Sequence, residues 1–191
     1  PGVQALFYPQ PKADEGAFDL RAKTFCGNGI LQAGCALFPS TGFAILRERL
    51  DEQGRPPVEA VGATLNFGPY GGGHNHPDKL SLVLYARGKH WIPDFGSCAY
   101  ESPEKAEWTA QTLAHNTMVV DGVSQYPTGS RNVMWPTDSA DRQVRAALDF
   151  FHGDEVMKAA AAHCDSAYTD VRLARTVCLV GDVLFDFYAA D

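Results

Sequence analysis

No segment of this 191-residue chain comes near the roughly 20 consecutive apolar residues that a bilayer-spanning helix needs, so a helical membrane span is excluded. An excess of basic charge is also lacking. With 16 Lys and Arg against 23 Asp and Glu, the formal net charge is −7 and the cations are scattered, which argues against a nucleic-acid partner, because phosphate backbones demand a cationic face. An acidic sugar is not excluded by the same count, since a local cluster can override the global sign. The five cysteines, Cys26, Cys35, Cys98, Cys164 and Cys178, contain no C-x-x-C pair and are odd in number, so neither a thiolate metal site nor a complete disulfide framework is indicated. The opening at Pro1 has no basic segment followed by an apolar one, so the expectation is a mature chain or an excised fragment. Internal repeats and low-complexity tracts are absent as well.

What is present is a composition of 45% hydrophobic and 20% charged residues, ordinary for a folded domain with a sizeable core. Residues 1–30 mix Pro, Gly and charge without a period and read as an irregular lead-in or linker; residues 31–191 read as one domain. Short apolar runs at 36–38, 42–46, 60–67, 80–85, 90–93 and 117–120 are separated by Gly, Pro and Asp, followed by longer runs at 143–151, 156–163, 171–180 and 183–188. Leu80, Leu82 and Leu84 alternate with Ser81, Val83 and Tyr85. Ala86-Arg87-Gly88-Lys89 then leads into His90-Trp91-Ile92-Pro93, which predicts a hairpin. Residues 104–113, after Pro103, are the best helical candidate. The fold class expected is all-β, an antiparallel β-sandwich, with its last strand running almost to residue 191 and therefore open to truncation.

The chemistry-bearing stretch is Gly-Pro-Tyr-Gly-Gly-Gly-His-Asn-His-Pro-Asp-Lys at 68–79. In an extended chain, residues two apart project to the same side, so His74 and His76 share one pocket. Asp94 closes the second strand of the expected hairpin, and His115 begins another apolar run. Two imidazoles and a carboxylate suit zinc. On spacing alone, a solvated His loop, a turn Asp and a hydrogen-bonded His serve equally well as a reading. Arg47 fits an exposed strand-end cation better than a substrate contact, Asp78 and Lys79 fit a loop-tying ion pair, and Trp91, Trp108 and Trp135 fit core aromatics better than sugar platforms.

Three stretches, residues 73–81, the turn Pro93-Asp94-Phe95-Gly96 and residues 108–122, occur here in the order and spacing of the heparinase II/III-like polysaccharide lyases. The chain resembles that family, and its Asp-Lys-Leu and Gln-Thr-Leu-Ala-His-Asn-Thr wording is closest to the oligoalginate lyase branch. The resemblance implies a helical toroid, lacking here, followed by a stacked antiparallel β domain. It also implies a structural zinc held by His76, Asp94 and His115, and a substrate-facing His74. Tyr100 is the nearest match to the branch's acid or base tyrosine, with a spacing that differs by about one residue. The implied substrate is an acidic, uronate-containing polysaccharide or oligosaccharide, and the implied location is periplasmic or secreted.

Two other readings compete. Gly, then His-x-His, then Val83-Leu84 and Gly88 imitates a first cupin motif, but Leu80 and Ser81 stand where the cupin glutamate belongs and no second motif follows. A non-catalytic carbohydrate-binding sandwich, stapled by a metal, is the other; turnover of uronate oligomers separates it from a lyase.

Overall fold

The computed structural model describes residues 30–69, 75–99, 101–125 and 144–191. Among the described residues, ten strands form two antiparallel meanders. The first sheet runs β1 (Ile30–Gln32), β2 (Cys35–Phe38), β3 (Phe43–Arg47), β4 (Gly62–Asn66), β5 (Leu82–Ala86) and β6 (Lys89–Ile92) in chain order. The second runs β7 (Ala147–Gly153), β8 (Met157–Tyr168), β9 (Val171–Val180) and β10 (Val183–Ala190), again with sequence neighbours paired. This is the all-β antiparallel architecture that the alternating runs predict.

Strand alternation decides which side chains meet. Leu46, Ala63, Leu65 and Leu82 of the first sheet share one buried cluster with Ala160, Ala162, Leu173, Val177 and Leu179 of the second. Small alanines on β8 let that strand lie close under β3. Ala36, Ile45 and Val83 are buried on the other face of the first sheet, so its strands read as continuous apolar runs rather than clean alternations. The β5–β6 hairpin closes through Arg87 and Gly88, both at positive φ (52° and 76°), the two-residue geometry whose twist matches paired strands. At the other end, the β2–β3 turn presses on the chain leading to the glycine-rich stretch. A Cβ on Gly42, itself at φ 73°, would lie 1.9 Å from the Cα of Gly68.

Four expectations change. Trp91 and Trp108, expected as core aromatics, are 62% and 42% exposed, while Trp135 lies outside the described residues. Residues 104–113 form a π-helical turn, Lys105–Thr109, and a single 3-10 turn, Thr112–Ala114, instead of one helix. Residues 117–120 join no sheet; Val120 bridges only to Val123 around Asp121 and Gly122, both at positive φ. Arg47 is buried, with its Nη1 donating to the Gly34 carbonyl at 2.6 Å, so it is not a strand-end surface cation. The irregular lead-in expected at 1–30 falls, apart from Ile30, outside the described residues. The described cysteines Cys35, Cys98, Cys164 and Cys178 are unpaired thiols, and among the described residues no helix is long and apolar enough to cross a membrane.

The β7–β8 turn offers a pH test of its own. Asp154 accepts the backbone N–H of Met157 (2.7 Å) and of Val156 (2.8 Å) and faces Nε2 of His152 at 2.8 Å, and these contacts hold its carboxyl at about 2 against an ordinary 3.8. Its folded value lies below its unfolded one, so the contribution is complete above the ordinary carboxylate range and fades as pH falls through about 2. An NMR titration of the Asp154 carboxyl is expected to show that midpoint; a midpoint near 4 would mean the turn is not capped.

Candidate functional site

Three loops meet at one end of the first sheet. One, preceding β5, carries His76; the second, following β6, carries Asp94; the third, after the 3-10 turn, carries His115. The His76 and His115 ring centroids are 5.0 Å apart, and Nδ1 of His115 lies 2.7 Å from Oδ2 of Asp94. Nε2 of His115 lies 3.1 Å from the Thr109 carbonyl oxygen. A carbonyl can only accept, and so can an ionised carboxylate. Nε2 of His115 therefore donates to the Thr109 carbonyl, and Nδ1 and the Asp94 carboxyl share a proton between them. Burial pushes His115 down, but the Asp94 hydrogen bond and charge outweigh it and leave its pKa raised. Burial likewise pushes Asp94 up, and the His115 hydrogen bond and charge bring it below its usual value. His76 is lowered, by burial first and by the neighbouring His115 second.

His76 differs from its neighbours in one respect: its Nε2 is buried and has no hydrogen-bond partner. An unsatisfied buried imidazole nitrogen is costly, and it calls for a proton acceptor, a donor or a cation beside it. Two imidazoles and one carboxylate form a donor set that suits zinc. In the geometry described, His115 and Asp94 face each other rather than a common centre, and among the described residues no group of three His, Cys, Asp or Glu is disposed to hold an ion. The sequence-derived His76, Asp94 and His115 are thus brought together as a hydrogen-bonded cluster; His74 and Tyr100 lie outside the described residues.

The loops are held from beneath by residues that motif reading missed. Arg175 of β9, buried at 6% exposure, donates from Nη1 to the carbonyls of Leu80 (2.7 Å) and Asn116 (2.6 Å). Its Nε and Nη2 grip both oxygens of Asp186 on β10 at 2.8 and 2.7 Å, and its guanidinium lies 4.7 Å from the Tyr188 ring centre. Asn116 passes the connection on, donating from Nδ2 to the Pro93 carbonyl (2.8 Å) beside Asp94. One arginine of the second sheet therefore ties two of the three loops directly, and Asn116 links them to the third. Leu80, fully buried, sits at φ 62°, a costly conformation for a branched residue that these contacts hold in place. Gln125, fully buried, accepts the Lys79 N–H at 2.7 Å and donates to the Lys79 carbonyl at 3.1 Å. Asp78 and Lys79 pair at 3.1 Å, as loop-tying residues. The available signal for Arg175 was its register: Leu173, Arg175, Val177 and Leu179 alternate inward on β9, which places a cation on the core side.

The family profile described as heparinase II/III-like, C-terminal matches residues 32–184. The chain belongs to this family. Among the relatives of this heparinase II/III-like domain, an exo-oligoalginate lyase of Saccharophagus degradans is 30% identical over 120 residues, covering 58% of this chain and 15% of that protein. An alginate lyase of Stenotrophomonas maltophilia is 33% identical over 121 residues with the same coverages, and a heparin-sulfate lyase of Bacteroides stercoris is 28% identical over 102 residues, covering 51% and 14%. Among solved structures, a heparinase III matches with a TM-score of 0.61 at 21% identity, over 81% of this chain and 22% of its own. The heparan sulfate lyase of Pedobacter heparinus matches with 0.57 at 17%, over 78% and 21%. At those identities the structural likeness establishes the fold. The chain spans about 15% of the curated relatives' length.

Proposed function

We propose that this chain is the β domain of a polysaccharide lyase that cleaves uronate-containing glycans of the alginate or heparin type by β-elimination. We further propose that His76, Asp94 and His115 hold a zinc ion. The observation that carries the reading is the family match over residues 32–184 together with a buried, unpartnered Nε2 of His76 in the cluster with His115 and Asp94. The zinc would supply cross-linking charge that pins the three loops, a structural role. His115 and Asp94 would then turn their lone pairs to the ion instead of sharing a proton.

In β-elimination a base removes the C5 proton of a uronate. The electron pair forms the C4–C5 double bond, and O4 leaves, taking up a proton from an acid. The substrate carboxylate must be neutralised for C5 to become acidic enough. His74, two residues before His76, is the group we assign to hydrogen-bond that carboxylate or share in the proton transfer, and Tyr100 is assigned as acid or base. Remaining groups would come from a helical toroid outside these residues, a reading supported by the small share of the relatives' length that this chain covers.

Elemental analysis of protein purified without added metal tests the zinc assignment. Stoichiometric zinc is expected, lost in His115→Ala, and chelation should lower the melting temperature because metal binding and folding are coupled. Absence of zinc, or a His115→Ala variant with full zinc content, sinks the ligand set.

A further inference from the structure

The tips of two hairpins, one from each sheet, enclose a groove of about 530 Å³ that shares no residue with the His76 cluster. Its floor is apolar, from Val61, Leu84 and Leu184; its walls are Trp91, Arg87 and Asp182. Trp91 is there because of a β-bulge. Leu84 pairs with Ile92 and Tyr85 with His90, so one step along β5 matches two along β6 and Trp91 is the extra residue, turned out of the ladder. Its side chain is nevertheless fixed, with Nε1 donating to the Ala86 carbonyl at 2.9 Å, while the residue remains 62% exposed. A large aromatic that is held in place and left open to solvent contributes little to the core and offers a ready surface.

At the rim, Nη2 of Arg87 meets Oδ2 of Asp182 at 2.9 Å, with side chains 72% and 55% exposed. A pair so exposed adds little stability. It does place a guanidinium, with donors beyond the one given to Asp182, beside the indole.

We infer that this groove is a second glycan-contacting subsite, taking one pyranose ring with its C–H face on Trp91 and its carboxylate on Arg87. The acidic character of the sugar rests on the lyase reading; the aromatic platform and its fixed geometry do not. Sugar rings present an apolar face and a polar rim, and the groove has both complements. A binding measurement also stands apart from turnover, so loss of either leaves the other result interpretable.

The test is an NMR titration of the full chain, following the Trp91 indole N–H, with an alginate-derived tetrauronate and with cellotetraose. The uronate is expected to move the Trp91 resonance and the Arg87 amide, and cellotetraose to bind more weakly. Trp91→Ala should weaken uronate binding by about tenfold or more, with melting temperature and metal content unchanged, and Trp91→Phe by less. Arg87→Ala should erase the preference for the acidic sugar. A silent Trp91 resonance, equal uronate affinity in Trp91→Ala, or stronger binding of cellotetraose would overturn the proposal. So would a groove that ignores both sugars and becomes protected only in the intact lyase, as a contact between domains.

Discussion

Replacing Arg175 by alanine is expected to destabilise the domain by about 3–5 kcal/mol, chiefly the cost of leaving the two carbonyls it satisfies without a donor, since its partner Asp186 stays a third exposed to solvent. The substitution strips the carbonyls of Leu80 and Asn116 of their donor and leaves Asp186 unpaired beside Tyr188. For a chain of this size, that loss corresponds to a fall in melting temperature of about 6–20 °C. Arg175→Lys keeps the charge but cannot fork between Asp186 and two carbonyls, so it should fold with an intermediate melting temperature and, on the proposed assignment, hold zinc more weakly. Thermal unfolding and metal content of both variants are the measurements. A melting temperature within about 2 °C of the parent in Arg175→Ala would show that the loops are held by other means.

On the proposed assignment, His74→Ala in the full-length protein is expected to lower lyase turnover by about 10²- to 10⁴-fold, the usual effect of removing a positioned acid or base, with melting temperature and the proposed zinc retained. His76→Ala should instead lose metal and stability first, because its Nε2 lies buried without a protein partner in the cluster with Asp94 and His115. The two histidines stand two residues apart, so the contrast tests roles rather than location. The 191-residue chain by itself should release no unsaturated uronate. Full activity in His74→Ala, or turnover by this chain alone, would show that the active site is wrongly assigned.

The strands were legible wherever apolar residues alternated or ran between turn residues, as in the β5–β6 hairpin and in β8, β9 and β10. Residues 117–120 misled because β-branched residues were read without asking what they would pair with. Asp121-Gly122 is a turn signal that folds Val120 back on Val123, and Thr117 spends its hydroxyl on the Lys79 carbonyl and on Tyr188. The expected helix at 104–113 is broken by tertiary demands: the Thr109 carbonyl accepts from His115, and the Thr112 hydroxyl donates to the Pro77 carbonyl. It was the family resemblance, rather than spacing alone, that singled out His76, Asp94 and His115, side chains that lie in one cluster. Neither could reach Arg175, which lies 95 residues from Leu80 and bonds backbone carbonyls that carry no side-chain signature. Trp91 was read as a core aromatic because nothing in the local pattern announces a bulge.

The meander order of both sheets has a bearing on how the chain acquires its structure. Every described strand pairs with a neighbour in sequence, so each sheet can be assembled by successive pairing without crossovers. Two of the three loops around His76, Asp94 and His115 adjoin strands of the first sheet and the third lies in the connection between the sheets, yet the guanidinium that ties them comes from the second. Those loops can therefore reach their final geometry only after the sheets have docked, which makes the site a late product of folding and its integrity a report that the whole domain has closed.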